Sequence, residues 1–320
     1  MHRLKYDPST LVLQLVDASG ARQISMALDH LADILAEAGR VDSMRGVQVR
    51  GVEADPSELC DLVEGSRMIA MAGFSQRTLF TTGQGLRRQE VEELLKAFTR
   101  IEIGLSEPLR TELALFPPKV AGETEALLAT WLNTIEYCAR VKQAWQLPAE
   151  IVVRVPQGAV AVELGMRLDR LAGRAAFQVQ ASADSAAFTL DQQQAQYGMK
   201  LCEEPYRVIT FSASGHLTGC SGDQRQRIHF GSLEEESLRG LWEGSAMESW
   251  RRTRAESQCQ GCPGLGTTLR RPALISVYDA IGEQRFHEYP QQQLRRIAEE
   301  DESKPAAARR EFFFRQRKAS

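Results

Sequence analysis

The stretch 11-LVLQLVDASGARQISMALDHLADILAEAGRVDSMRGVQVR-50 decides the architecture. Leu11 to Val16 is a short apolar run of the kind that forms a strand buried on both faces. Met26 to Ala38 then spaces apolar residues three and four apart, the pattern of an amphipathic helix, and Gly39 supplies its stop. Gly46 to Arg50 reads as the next strand. Strand, helix and strand in one short stretch make a βαβ unit, and its strands run parallel because the helix returns the chain to its starting end.

The same rhythm continues outward. Pro56 to Glu64 reads as a helix, Thr78 to Thr82 as a strand, Arg87 to Phe98 as a helix and Ile101 to Leu105 as a strand. After a Pro117-Pro118 break come a long helix from Glu123 to Trp145, a strand from Ile151 to Val155, a helix from Val160 to Ala172 and a strand from Phe177 to Gln180. This alternation predicts an α/β fold with a parallel sheet, either open and doubly wound or a full or partial barrel; periodicity alone does not choose. A Gln-rich linker, Asp191 to Gln196, follows. Beyond it Tyr206 to Phe211 and Leu217 to Cys220 read as a hairpin turning at Ser214-Gly215, where glycine supplies the positive φ. Two helices are predicted next, Leu233 to Trp242 and Ala246 to Ala255. From residue 298 the chain is charged and carries Phe312-Phe313-Phe314, which reads as a flexible tail or, more sharply, as a docking peptide.

With 320 residues, 43% of them hydrophobic, the chain can bury a substantial core. A net charge of −3 argues against a nucleic-acid-binding surface, which carries a basic excess. No apolar run reaches the roughly 18 residues a membrane span needs, and the start lacks the layout of a signal peptide, so the expectation is a cytoplasmic protein without a membrane partner. Of the six cysteines, Cys60 and Cys138 fall in predicted helices and read as buried core thiols. Cys202 and Cys220 flank the predicted hairpin, and Cys259 and Cys262 form a Cys-x-x-Cys pair. In a reducing compartment such a quartet is a metal-ligand set, for tetrahedral zinc or for an iron–sulfur cluster, and the residue types leave both open. His216 and His229 can stand in for a missing cysteine, although four thiolates already complete a shell. A thioredoxin-like dithiol is disfavoured, because the pair follows a helix and precedes Pro263-Gly264 instead of opening a helix.

The segment from Cys202 to Cys262 resembles the twitch/SPASM auxiliary-cluster domain of radical S-adenosylmethionine (radical SAM) enzymes. The resemblance rests on the Cys202, Gly215, Cys220 spacing, on Phe230-Gly231-Ser232-Leu233 with Glu235, on Ser237-Leu238, Leu241-Trp242 and Met247, and on the closing Cys259 and Cys262. No cysteine follows Cys262, which fits the shorter, one-cluster twitch form. The preceding repeats are similar to the partial (β/α)6 TIM-like barrel of the same superfamily. Its Cys-x3-Cys-x2-Cys, in the loop after the first strand, would fall on Ser19, Gln23 and Met26; serine and glutamine cannot replace a thiolate on iron, and a thioether is a weak ligand. Its Gly-Gly-Glu-Pro after the second strand corresponds to Gly51-Val52-Glu53-Ala54, a degenerate SAM site, whereas Thr82-Gly83-Gln84-Gly85-Leu86 resembles the usual end of the third strand.

The resemblance implies three segments: a degenerate barrel over 1–190, a cysteine-rich domain over 191–297 and the tail over 298–320. It implies one auxiliary 4Fe-4S cluster on Cys202, Cys220, Cys259 and Cys262, with zinc as the alternative metal, and argues against functional S-adenosylmethionine binding. No catalytic residue is expected. The expected role is that of a non-catalytic partner of an intact radical SAM enzyme acting on a peptide or small molecule, through electron transfer, substrate positioning or structural support. The alternatives are a structural four-cysteine zinc scaffold and an enzyme of unrelated chemistry at the barrel mouth, for which Asp17, Arg22, Arg50, Glu53 and Glu102 lie near predicted strand ends.

Overall fold

The computed structural model describes residues 4, 6–18, 22–105, 122–156, 159–172, 177–182, 204–221 and 228–257. The opening βαβ unit is present. Strand β1 (Thr10–Asp17) is followed by a two-residue strand β2 (Ile24–Ser25) that folds back antiparallel on its end, then by helix α1 (Leu28–Ala38) and strand β3 (Gly46–Val52). Helix α1 buries Leu31, Ile34, Leu35 and Ala38, the spacing read from the sequence, and Gly39 caps it. Burial of a leucine or isoleucine side chain contributes roughly 1.5–3 kcal/mol, so this stripe holds the helix on the sheet.

One expected element is replaced. In place of a helix from Pro56 to Glu64 there is a single 3-10 turn, Pro56–Glu58, a break at Leu59 in extended geometry, and a new helix α2 (Leu62–Met71). The Asp55 carboxylate accepts from the Ser57 N–H and closes that short turn. Helix α2 was hidden by Gly65 and Ser66, poor helix formers. Both are buried, and a Cβ on Gly65 would stand 3.2 Å from Leu31 Cδ2, so glycine lets α2 lie close against α1.

Strand β4 (Gln76–Thr81), helix α3 (Arg88–Ala97), strand β5 (Arg100–Ile103), helix α4 (Gly122–Ala144), strand β6 (Glu150–Pro156), helix α5 (Ala159–Ala172) and strand β7 (Gln178–Ser182) complete the repeats. A helical turn α6 (Glu204–Arg207) leads into β8 (Val208–Phe211), β9 (His216–Thr218) and β10 (His229–Ser232), and helices α7 (Leu238–Glu243) and α8 (Ser245–Ser257) follow. The hairpin turns where expected, with Gly215 at φ +80°. Tyr206 falls in α6 and not in the strand, β10 was not anticipated, and the helix expected from Leu233 begins at Leu238, where the Ser237 hydroxyl accepts from the Gly240 N–H.

All strands join one sheet, in the order β10-β9-β8-β1-β3-β4-β5-β6-β7, with β2 paired to β1. The run from β1 to β7 is parallel throughout; β8 extends it, parallel to β1, with Thr10 opposite Val208 and Leu13 opposite Phe211. The cysteine-rich segment is therefore stitched to the first strand by a backbone ladder. Leu11, Leu13, Val47, Val49, Leu79, Ile101, Ile151 and Val153 belong to one apolar cluster with the helices. The alternate residues of each strand face the other way, which we call the inner face. Among the described residues no helix is long and apolar enough to cross a membrane.

A buried arginine binds the cysteine-rich helices to the rest. The Arg251 side chain on α8 is 0% exposed; its Nε donates to Pro205 O at 2.9 Å, and its Nη1 to Trp242 O at 2.8 Å and Glu248 Oε1 at 3.0 Å. Its guanidinium lies over the rings of Trp242 at 4.2 Å and Tyr6 at 4.7 Å. The Tyr6 hydroxyl donates to Glu248 Oε2 at 3.0 Å, and burial together with that carboxylate holds the phenol far above its ordinary range.

Candidate functional site on the inner face of the sheet

Register fixes which side chains share the inner face. Thr218, Thr210, Val12 and Gln48 form one row across four strands, and Gln14 stands opposite Arg50 one row further along. Phe80 and Glu102 are paired on β4 and β5, and Arg154 and Gln180 on β6 and β7. Unlike the helix-facing side, this face is rich in polar and charged groups.

Most of its charges are paired. Arg154 grips Glu102 with both arms, Nε to Oε2 at 2.7 Å and Nη2 to Oε1 at 3.1 Å. This bond raises the Arg154 guanidinium above its ordinary range. Arg100 donates to Glu102 Oε1 at 2.7 Å and to Glu150 Oε2 at 3.0 Å. Glu102 is 6% exposed, and the two guanidiniums supply the counter-charge and hydrogen bonds that a buried carboxylate requires. Arg50 differs. Its Nη2 donates to Gln48 Oε1 at 2.8 Å and its guanidinium lies 5.4 Å from the Phe80 ring centroid, but its Nε is shut off from solvent with no hydrogen-bond partner among the described residues. Burial pushes Arg50 below its ordinary range, partly offset by the charges of Glu204 and Cys220.

The rim of the sheet is tied by hydrogen bonds. Asp55 Oδ1 accepts from the Ser57 N–H at 2.8 Å and the Thr81 hydroxyl at 2.6 Å, and Oδ2 accepts from the Thr82 N–H. Thr81 Oγ1 accepts in turn from the Gly83 N–H at 2.9 Å, and Ser57 Oγ from the Gly85 N–H at 3.1 Å. The loop Gly51-Val52-Glu53-Ala54 is thereby fastened to the end of β4. A Cβ on Gly51 would lie 2.0 Å from Ala54 O and 2.8 Å from Val16 Cγ1, so this turn admits only glycine there, and Glu53 takes φ +52°.

Of the expected metal ligands, Cys220 is half-buried and follows β9, two residues past Thr218; Cys202, Cys259 and Cys262 lie outside the described residues. Among the described residues no cluster of three or more His, Cys, Asp or Glu is suited to a metal. The described position fits a cluster ligand chemically, since the Cys220 sulfur lies within electrostatic reach of the Arg50 cation. The ring centroids of His216 and His229 lie 5.5 Å apart, edge to face, and His216 Nδ1 is 3.1 Å from Ser214 Oγ. In the loop after β1, Ser19 lies outside the described residues, Gln23 is exposed, and Met26 is 8% exposed within the apolar cluster. Asp17 is buried at the end of β1, whereas Arg22 and Glu53 are exposed. Cys138 is buried as expected; Cys60 is exposed, because the break at Leu59 takes it out of any helix. Sequence reasoning missed Gln48, Phe80, Arg154 and Thr210. For Gln48, Arg154 and Thr210 the signal was present, as polar side chains at alternate positions of strands whose other residues are apolar; Phe80 carried no such signal.

Comparison with known proteins places these features. Residues 202–263 match the family model of SPASM, the iron-sulfur cluster-binding domain. No curated protein matches the chain. Two solved structures of native anSMEcpe with bound AdoMet, one with Cp18Cys peptide and one with Kp18Cys peptide, each superpose with a TM-score of 0.50 at 10% identity, covering 92% of this chain and 99% of theirs. BtrN in complex with AdoMet and 2-DOIA matches with a TM-score of 0.46 at 10% identity, over 81% of this chain and 92% of that one. The parallel repeats thus share the fold of these anSMEcpe structures, and residues 202–263, which contain all four distal cysteines, are similar to the SPASM iron–sulfur cluster-binding domain.

Proposed function

We propose that this protein is a catalytically silent radical SAM-like chain that keeps one auxiliary 4Fe-4S cluster on Cys202, Cys220, Cys259 and Cys262 and serves as a partner subunit of an intact radical SAM enzyme in peptide or natural-product modification. The observation that carries it is a contrast within one chain: four cysteines inside the SPASM match, against Ser19, Gln23 and Met26 where the radical-generating cluster needs thiolates. The placement of Met26 in the core and of Gln23 in solvent supports this, because neither is held ready as a ligand. When bound, the cluster supplies one-electron transfer at a potential set by its surroundings. Around it the chain's own residues hold the domain in place, through the β8–β1 ladder and the Arg251 contacts. A reducing cytoplasm suits such thiolates.

The test is anaerobic purification followed by reconstitution with iron and sulfide. About four irons per chain are expected, as for a single cubane cluster. Eight irons, or 5′-deoxyadenosine formed from S-adenosylmethionine under reduction, would overturn the silent-barrel assignment. One tightly held zinc without iron–sulfur absorption would overturn the cluster. Anaerobic pull-down from the native host should recover an intact radical SAM enzyme; a chain that stays alone would sink the partner role.

A further inference from the structure

Cys220 stands at the end of a row of polar groups. Thr218 Oγ1 lies 3.4 Å from Thr210 O and 3.5 Å from Cys220 O, and so links the cysteine's backbone to β8. From Thr210 the row runs through Val12 to Gln48, whose Oε1 accepts from Arg50 Nη2 at 2.8 Å. That bond turns the Arg50 side chain back along β3 toward the row of Thr210 and Thr218. Two donors here are shut off from solvent with no hydrogen-bond partner among the described residues, Arg50 Nε and the Thr210 hydroxyl. Buried donors are as a rule satisfied, so an acceptor belongs beside them. The charges acting on Arg50 are those of Glu204 and Cys220, while Arg100 and Arg154 are already bound to Glu102 and Glu150. Glu204 lies next to the same cysteine, because its Oε2 accepts from the Ser221 hydroxyl at 2.7 Å. With Cys220 as a thiolate, Arg50 is thus the one cation set against two anions.

We propose that Arg50 and Thr210 tune the thiolate-bound centre at Cys220, Arg50 as its resident counter-charge and Thr210 as a hydrogen-bond donor to its sulfur. This rests on the cluster assignment made above and adds to it the residues that set its potential. The direction follows from the signs of the charges. Uptake of an electron adds negative charge, which a nearby guanidinium and a hydroxyl donor favour and the Glu204 carboxylate opposes. Arg50 belongs to β3, outside the 202–263 match, so the repeats complete a centre whose ligands all lie in the cysteine-rich segment. A barrel without radical chemistry then keeps a use, as the source of that charge.

The full-length chain is reconstituted anaerobically with iron and sulfide as wild type, Arg50→Gln, Arg50→Lys, Thr210→Val and Glu204→Gln. The midpoint potential of each is read by dithionite titration, followed by absorption and electron paramagnetic resonance. At equal iron content Arg50→Gln should shift the reduction equilibrium about tenfold toward the oxidised state, which for one electron is about 59 mV lower. Arg50→Lys should keep most of the wild-type potential, and Thr210→Val should lower the equilibrium about threefold or more. Glu204→Gln still accepts from Ser221 and should move the potential upward. Loosened packing does not change direction with the sign of the charge removed, so the opposite shifts separate tuning from a structural role. Should Arg50→Gln fail to fold, Thr210→Val and Glu204→Gln decide by moving in opposite directions. Wild-type potentials in every folded variant, or Glu204→Gln moving the same way as Arg50→Gln or Thr210→Val, would overturn the proposal while the cluster stood. If the chain loads zinc and no iron, the same charges act on zinc affinity. Against a chelator, Arg50→Gln should then bind zinc about tenfold more weakly and Glu204→Gln more tightly, which keeps this proposal while the iron–sulfur assignment falls; equal zinc affinities overturn it. A wild-type chain that takes up neither metal overturns both.

Discussion

Replacing Asp55 tests whether the rim of the barrel is held by one carboxylate. Asp55 is 7% exposed and accepts three hydrogen bonds, from the Ser57 N–H, the Thr81 hydroxyl and the Thr82 N–H. Hydrogen bonds to a charged acceptor contribute about 1.5–3 kcal/mol each, and bonds sharing one group do not add in full. Asp55→Ala should therefore cost about 3–5 kcal/mol, leaving two backbone donors and a hydroxyl without their acceptor. Asp55→Asn is the sharper probe. Its carbonyl oxygen can still serve Ser57 and Thr81, but its amide would turn a donor toward the Thr82 N–H, so about 1.5–3 kcal/mol should be lost at nearly constant volume. Urea unfolding measures both, and the midpoint should fall while the slope stays unchanged. A double-mutant cycle with Thr81→Val should return a coupling of about 1 kcal/mol or more. Asp55→Asn unfolding at the wild-type midpoint would refute the idea that this carboxylate, and not the surrounding packing, fastens the Gly51–Ala54 loop to β4.

Other consequences are as direct. Arg251→Met should destabilise the chain by about 3–5 kcal/mol, because it removes three hydrogen bonds and strands the Glu248 carboxylate beside Tyr6; Arg251→Lys should recover little of this, since an ammonium cannot reach Pro205 O and Trp242 O as a planar fork does. Urea melts read both. The Cys138 thiol is pushed up to about 12 by burial, so in native protein near pH 8 a thiol reagent should modify exposed Cys60 at once and Cys138 only on unfolding. The same shift has a sign for stability: the unfolded thiol ionises first, so the Cys138 contribution is complete below about pH 9 and lost as pH rises toward 12. Cys138→Ala should flatten that alkaline decline; an unchanged pH profile would count against the assignment.

The helix-facing half of this fold was legible because the strands place apolar residues on the side that the helices cover, and every strand of the repeats except β2 overlaps a strand read from the sequence. What escaped had no such signal. Strand β2 is two exposed residues, and β10, His229–Ser232, has no apolar alternation. Helix α2 contains Gly65 and Ser66, residues that local propensity reads as a break and that only the nearby Leu31 explains. At the candidate site the residue types were visible but not their balance. Arg50 and Glu102 both stood out near strand ends, yet only the side-chain geometry separates the doubly ion-paired Glu102 from Arg50, whose Nε has no hydrogen-bond partner among the described residues. The four distal cysteines were legible as a set, by spacing and resemblance, and of these Cys220 alone is among the described residues.

The pairing of β8 with β1 also bears on how the chain is made. Thr10 leaves the ribosome early, and its ladder partner Val208 emerges only after all the repeats. At roughly 5–20 residues per second the edge of the first strand waits on the order of ten seconds or longer for its cover. Through that interval it presents open backbone donors and acceptors beside Leu11 and Leu13, the kind of edge that recruits other chains. The cysteine-rich segment, whatever it holds, thus also closes the sheet, and a chain released before it would be sticky from its first strand.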